Sequence, residues 1–218
     1  MKIRTVAAEL LFPPKCILCG RVLEKEETDL CRGCRVNGPE FPKGKLNLQF
    51  LDSYAAIWYY EGSVRRSLHR YKFYHARHLA EGYGRLLAMK ILREYPEPFD
   101  CLTWVPISPW RKLIRGYDQD ELLAQVVGRE LGMTPVPLLK KIRNNPPQSG
   151  ITGYAKRRAN VLGVYRAENQ EIIQGKRILL LDDILTTGAT AGECARVLLT
   201  AGAGEVHCAV VAAARKKP

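Results

Sequence analysis

The run Ile178-Leu179-Leu180-Leu181 ends in two adjacent aspartates, Asp182 and Asp183, and Ile184-Leu185-Thr186-Thr187-Gly188-Ala189-Thr190 follows. An unbroken apolar run suits a strand covered on both faces, the situation of a central strand in a parallel sheet. In open α/β sheets ligands bind at the carboxyl ends of such strands, which is where the two carboxylates fall. The small, hydroxyl-rich segment after them opens a helix. Its N–H groups and hydroxyls can close around a phosphate while the helix N-terminus adds partial positive charge. Paired carboxylates accept from the two hydroxyls of a ribose diol. A simple turn with one aspartate as a helix cap accounts for one carboxylate, but not for the pair together with the loop. The chain has no G-x-x-x-x-G-K-[ST] motif, and Gly82-Tyr83-Gly84 lies in a helical pattern without a third glycine, so neither common nucleotide fingerprint applies.

The rest of the chain supports the same architecture. Strand-like patterns occupy residues 54–60, 101–107, 177–181 and 205–211. Between them, apolar residues recur at helical spacing over 79–93, 120–131 and 191–199. Alternation of this kind predicts an α/β domain with a mostly parallel sheet and crossover helices.

Ahead of it, Cys16-Ile17-Leu18-Cys19 and Cys31-Arg32-Gly33-Cys34 form two C-x-x-C pairs separated by eleven residues. Each pair makes a knuckle that offers two thiolates to one metal, and two knuckles complete a tetrahedron. The spacing resembles a zinc ribbon, and the zinc is expected to be structural. So small a module buries too little core to fold unaided, and the metal supplies the difference. Cys101, Cys194 and Cys208 lie in or beside apolar segments and read as core residues. Gly38, Pro39, Pro42 and Gly44 mark the boundary, giving a ribbon with a flanking helix and linker over 1–45 and the α/β domain over 46–218. No apolar run is long enough to span a bilayer, and residues 5–12 are too short and mixed for a secretory segment. A cytoplasmic location without membrane insertion is expected.

The formal net charge is +12, and the cations cluster. One segment, residues 65–78, interleaves Arg70, Tyr71, Lys72 and Phe73; a second holds Trp110, Arg111, Lys112, Arg115 and Tyr117; a third holds Tyr154, Lys156, Arg157 and Arg158. Cations can track phosphates while rings stack on bases, which predicts contacts to single-stranded nucleic acid. The second and third clusters serve equally well to neutralise a diphosphate. Changes in the first cluster are expected to leave a small phosphosugar site untouched. The four histidines, His69, His75, His78 and His207, show no metal-ligand spacing and receive no role.

The segment from Leu179 to Thr190 closely resembles the phosphoribosyl pyrophosphate (PRPP) signature of type I phosphoribosyltransferases. That resemblance implies that Asp182 and Asp183 contact the ribose hydroxyls and that Thr186, Thr187, Gly188, Ala189 and Thr190 cradle the 5-phosphate. It also implies Mg²⁺ and a diphosphate loop, here Val105-Pro106-Ile107-Ser108. The ribbon, Arg115-Gly116-Tyr117-Asp118-Gln119, and the stretch from Gln148-Ser149-Gly150 to Asn160-Val161 resemble the ComF/GntX group of competence-associated proteins. Members usually carry Phe-Asn where this chain has Tyr117-Asp118. The resemblance implies a role in natural transformation, with incoming single-stranded DNA and other DNA-processing proteins as partners. The alternative is an active PRPP-dependent transferase with an unidentified acceptor. Purine salvage enzymes of the hypoxanthine type carry an aspartate where Thr186 stands, so that acceptor class is not expected.

Overall fold

The computed structural model describes residues 13–42, 48–74, 76–146, 150–151 and 153–215. The N-terminal flanking segment, the boundary at 45, His75, Gln148, Ser149 and the ring of Tyr154 lie outside that description. Four parallel strands form the central sheet: β1 (Ser53–Tyr59), β2 (Cys101–Trp104), β5 (Arg177–Leu185) and β6 (Glu205–Ala213), in the order β1-β6-β5-β2. A separate antiparallel pair, β3 (Leu139–Lys141) with β4 (Tyr165–Ala167), packs beside it.

Side chains alternate along β5, and the two faces build two cores. Leu179 and Leu181 join one core with Leu87, Ile91, Leu123 and Val127, which come from α3 (Leu79–Glu94) and α5 (Gln119–Leu131). Ile178 and Leu180 join the other, with Cys194, Ala195 and Leu198 of α8 (Ala189–Thr200). Crossovers after β2 and β5 therefore lie on opposite faces. The crevice that a doubly wound sheet offers to ligands opens between the carboxyl ends of those two neighbouring strands.

The latest described strand, β6, is interior, between β1 and β5. Ser53, the first residue of β1, sits opposite His207 and lies 2.8 Å from its Nδ1, while Glu205 holds Nε2 at 3.0 Å. These polar groups anchor the amino ends of the strands, far from the crevice.

The ribbon shares the main core. Cys16, Ile17, Leu18, Leu30 and Cys31 are buried together with Tyr71 and Tyr83. A short helix, α1 (Arg32–Asn37), begins inside the second knuckle and is capped by the Cys31 sulfur. Gly82 lets the first knuckle seat on α3, since a Cβ there would lie 2.8 Å from Ile17 Cγ2. Three further helices complete the order: α2 (Gly62–Phe73), α4 (Pro109–Arg115) and α6 (Tyr154–Val161); α7 (Gln170–Ile173) is a single turn.

Candidate functional site

β5 continues past the expected end, through both aspartates to Leu185, and its neighbour β2 stops opposite Leu181. Asp182 and Asp183 thus stand in the crevice, and alternation sends them to opposite faces. Asp183 turns toward α2 and α5. There its Oδ1 pairs with Lys72 Nζ at 2.9 Å, and Asp120 from the first turn of α5 approaches. Carboxylate oxygens of Asp120, Asp182 and Asp183 lie within 4.8 Å of one another, all three residues buried. Burial, then Asp183, pushes the Asp182 carboxyl up to about 8. Burial, then Asp183 and Asp182, holds Asp120 well above the usual carboxylate range. Asp120 Oδ1 and Asp183 Oδ2 are buried without a hydrogen-bond partner among the described residues. Buried polar groups ordinarily find partners, and these two oxygens are left as open acceptors in the crevice.

The loop after β5 has the form an anion cradle needs. Gly188 takes a left-handed φ of 76° as the cap of α8, and Leu48 packs against it, a Cβ there falling 2.7 Å from Leu48 Cδ1. Thr187 Oγ1 accepts from the Ala189 N–H at 3.4 Å, and Thr190 lies in the first turn of α8. Arg157 of α6 donates to Thr186 Oγ1 at 2.9 Å. Its neighbour Arg158 is exposed and lines a cavity of 30 Å³ with Thr187, Gly188 and Glu193.

The opposing wall comes from the turn after β2. Ser108 is buried and caps α4 by accepting from the Arg111 N–H, while the Arg111 guanidinium donates to the Asn145 carbonyl at 2.8 Å. Lys112 leans out to Glu121, and Arg115 donates to Gln119 at 2.8 Å while lying 5.5 Å over the Phe73 ring. Lys141, which the sequence reading passed over, is buried on β3. Burial, then Arg111, lowers its ammonium to about 8.

The first cation-and-ring segment needs correction. Val64, Ser67, Leu68 and Tyr71 recur at helical spacing and form the buried face of α2. Tyr71 is fully buried, its hydroxyl donating to the Gln119 carbonyl at 2.6 Å, so it offers no face to a base. Arg70 is turned onto the ribbon, donating to the carbonyls of Ile17 and Leu18 at 3.1 Å each. Lys72 belongs to the aspartate cluster, so this segment and the crevice are not independent. Phe73 alone of the four keeps the expected exposure, at 53%.

The ribbon thiols fit zinc. All four sulfurs lie within 4.8 Å of one another, and Cys19 Sγ is 3.7 Å from Cys31 Sγ. A tetrahedron with Zn–S bonds of about 2.3 Å has edges of about 3.8 Å. The Cys34 N–H, foremost, brings the Cys31 thiol down to about 7, while burial, foremost, pushes the Cys34 thiol up. Four cysteine ligands leave no open position, which makes the site structural.

Comparison with known proteins agrees with this arrangement. Residues 7–43 match the double zinc ribbon domain, and residues 121–218 match the phosphoribosyl transferase domain. DNA utilization protein YhgH of Salmonella typhi is 27% identical over 203 residues, covering 88% of this chain and 87% of that protein. Competence protein ComFC of Bacillus subtilis (strain 168) is 28% identical, covering 86% of this chain and 72% of that protein. Competence protein F of Haemophilus influenzae is 25% identical, covering 90% and 95%. Among solved structures, the allosteric regulatory enzyme of purine biosynthesis superposes at a TM-score of 0.42 and 23% identity, covering 61% of this chain and 26% of that one. The chain is a member of the ComF family, a double zinc ribbon joined to a phosphoribosyltransferase domain, with homologues named ComFC, competence protein F and DNA utilization protein YhgH.

Proposed function

We propose that the crevice binds the ribose 5-phosphate group of a PRPP-type ligand and that the protein handles single-stranded DNA during uptake. The observation that carries the first part is the pairing of Asp182 and Asp183 with a Thr-rich loop at the N-terminus of α8, closed from the side by Arg157. The diol donates to the carboxylates, and the 5-phosphate accepts from Thr186, Thr187, Thr190 and the backbone of Gly188 and Ala189. Ser108, Arg111, Lys112 and Arg115 face the diphosphate side. Mg²⁺ fits the hard oxygens of Asp120, Asp182 and Asp183, two of which lack partners, and its chemistry there is to neutralise diphosphate charge.

The DNA reading draws on the names of the relatives and on the surface beside the crevice. Arg65, Arg66, Phe73 and Tyr74 are exposed on α2 and just after it, and Trp110 is exposed on α4 at 60%. Cations and rings together suit a flexible polyanion with stackable bases.

Calorimetric titration with PRPP and Mg²⁺, comparing the native chain with Asp182→Ala/Asp183→Ala, tests the sugar site. Unchanged affinity in the double variant removes the site from contention. Consumption of PRPP with a base or amine, without binding of single strands at low salt, replaces the DNA reading with that of a transferase.

A further inference from the structure

Three consecutive residues of α2 point to three different places. Arg70 donates to both carbonyls of the first zinc knuckle, Ile17 and Leu18, at 3.1 Å. Tyr71 is fully buried between them and the crevice, its hydroxyl on the Gln119 carbonyl and its own carbonyl accepting from Tyr117 at 3.0 Å. Lys72 reaches Asp183 at 2.9 Å. One turn of a helix locked at its centre cannot rotate or slide without moving all three. The knuckle is itself tightly specified: Gly20 takes a left-handed φ of 80°, its N–H bonding to the Cys16 carbonyl at 2.8 Å, and a Cβ there would lie 3.3 Å from Arg70 Nη1.

We propose that Lys72 is a binding-site residue of the phosphosugar crevice and that Arg70, anchored on the zinc knuckle, is the residue that positions it. The inference rests on the crevice binding ribose 5-phosphate. Lys72 supplies the one ammonium ion-paired to the cluster of three buried carboxylates among the described residues. Without it, Asp183 Oδ1 loses the one ion-pair partner it has among the described residues, and with it the contact that fixes the carboxylate in the crevice. The ribbon thereby contributes to the site although, among the described residues, none of its own side chains bonds to the aspartate cluster.

The test is titration of the zinc-loaded full chain with ribose 5-phosphate, comparing Lys72→Met, Arg70→Met and the double variant, with zinc content measured for each. Lys72→Met is expected to weaken binding about tenfold, the loss of one charge-assisted contact. Arg70→Met is expected to weaken it by a similar factor, and to add nothing once Lys72 is gone, because coupled residues are not additive. Lys72→Arg, which keeps the charge, should recover part of the affinity. Additive effects, or an Arg70→Met variant that keeps zinc and full affinity, overturn the proposal. Should Arg70→Met fail to fold, Arg70→Lys, which keeps charge but loses the two-carbonyl fork, takes its place.

A second readout needs no sugar. In the reductively ¹³C-methylated chain, the resonance lost in Lys72→Arg reports the Lys72 environment, and it should shift in both Asp183→Asn and Arg70→Met. If that resonance responds to Arg70→Met but no ribose 5-phosphate binds, the sugar reading fails and Lys72 loses its binding role. If ribose 5-phosphate binds and the resonance ignores Arg70, the positioning role fails while the sugar site stands.

Discussion

Asp118 Oδ2 accepts the backbone N–H of Ile107 at 3.1 Å, tying the helix that carries Asp120 to the turn after β2. Its other oxygen caps α5, accepting from Asp120 at 3.0 Å and Glu121 at 3.3 Å. An asparagine at this position would retain an acceptor for the cap, whereas the carboxylate serves both elements at once. Asp118→Asn is therefore expected to cost about 1 kcal/mol, the worth of one hydrogen bond. Asp118→Ala loses the cap as well and should cost roughly 2 kcal/mol or more. Urea unfolding of the two variants measures both.

Asp182 sets a pH dependence. Its folded carboxyl, raised by burial and then by Asp183 to about 8, keeps a proton that the unfolded chain gives up near its ordinary value of about 3.9. The folded state thus binds more protons across that interval. The stability this group contributes is full at low pH and is lost as pH rises toward 8. Asp182→Asn keeps the acceptor for the Asp183 N–H, which lies 2.9 Å from Asp182 Oδ1, and removes the charge. It should be more stable than the native chain by about 1 kcal/mol or more at pH 8, with the gap closing toward pH 4. Urea midpoints across that range would contradict this if the gap were constant.

Zinc removal should reach the whole molecule. The knuckle residues Ile17 and Leu18 share a core with Tyr71, Tyr83 and Leu87, so a strong chelator should lower one common transition rather than unfold the ribbon alone. A loss of about 3 kcal/mol corresponds to roughly 6–12 °C for a domain of this size. Scanning calorimetry alongside metal analysis gives the answer; an unmoved main transition after complete zinc loss would refute it.

Two glycines should be intolerant for different reasons. A Cβ on Gly84 would land on the Val126 side chain, where α3 crosses α5, and Gly84→Ala should cost about 1–3 kcal/mol through overpacking. Gly188 combines a left-handed backbone with Leu48 behind it, so Gly188→Ala should also distort the anion loop. Gly84→Ala is expected to lower the melting temperature and leave ribose 5-phosphate affinity unchanged, whereas Gly188→Ala should lower both.

For single-stranded DNA, the expected response moves to the outer face of α2. Removing charge at Arg65 and Arg66 should flatten the salt dependence by about 0.7 in log–log slope per lost phosphate contact. Phe73→Ala should weaken binding with the slope kept, by about 1–3 kcal/mol for one stacked base. Tyr71→Ala should destabilise the fold instead, because that ring is wholly buried. Fluorescence anisotropy at several salt concentrations separates these cases.

The large elements were legible because their patterns are local. The helix expected at 79–93 spans Leu79–Glu94, and the strand expected at 205–211 spans Glu205–Ala213. The strand bearing the aspartates ran longer than its apolar run because Asp182 and Asp183 are themselves paired into the sheet, Asp182 opposite Val210. Short elements escaped notice: α4 has only seven residues, and the β3 and β4 strands three each. Asp120 looked like an ordinary acid in a helix's first turn, favoured there by the helix dipole. Lys72 looked like part of a basic surface. Its partner lies more than a hundred residues away, and no spacing rule connects them. Tyr71 carried a readable signal, since Val64, Leu68 and Tyr71 fall on one helical face, but the interleaved cations drew attention to charge instead of period.

The interior position of β6 has a consequence for how the chain is made. Ser53 and His207, which meet across the edge of the sheet, are 154 positions apart in sequence. As the chain emerges from the ribosome, β1 has no parallel partner until β6 arrives, only the short antiparallel bridge from Glu40 to Trp58, and β5 can pair only with β2. The sheet therefore assembles by late insertion between two waiting strands, a non-local closure that topology makes slow. During that interval the unpaired edges of β1 and β5 are exposed to other chains, and holding them apart falls to whatever accompanies the nascent polypeptide.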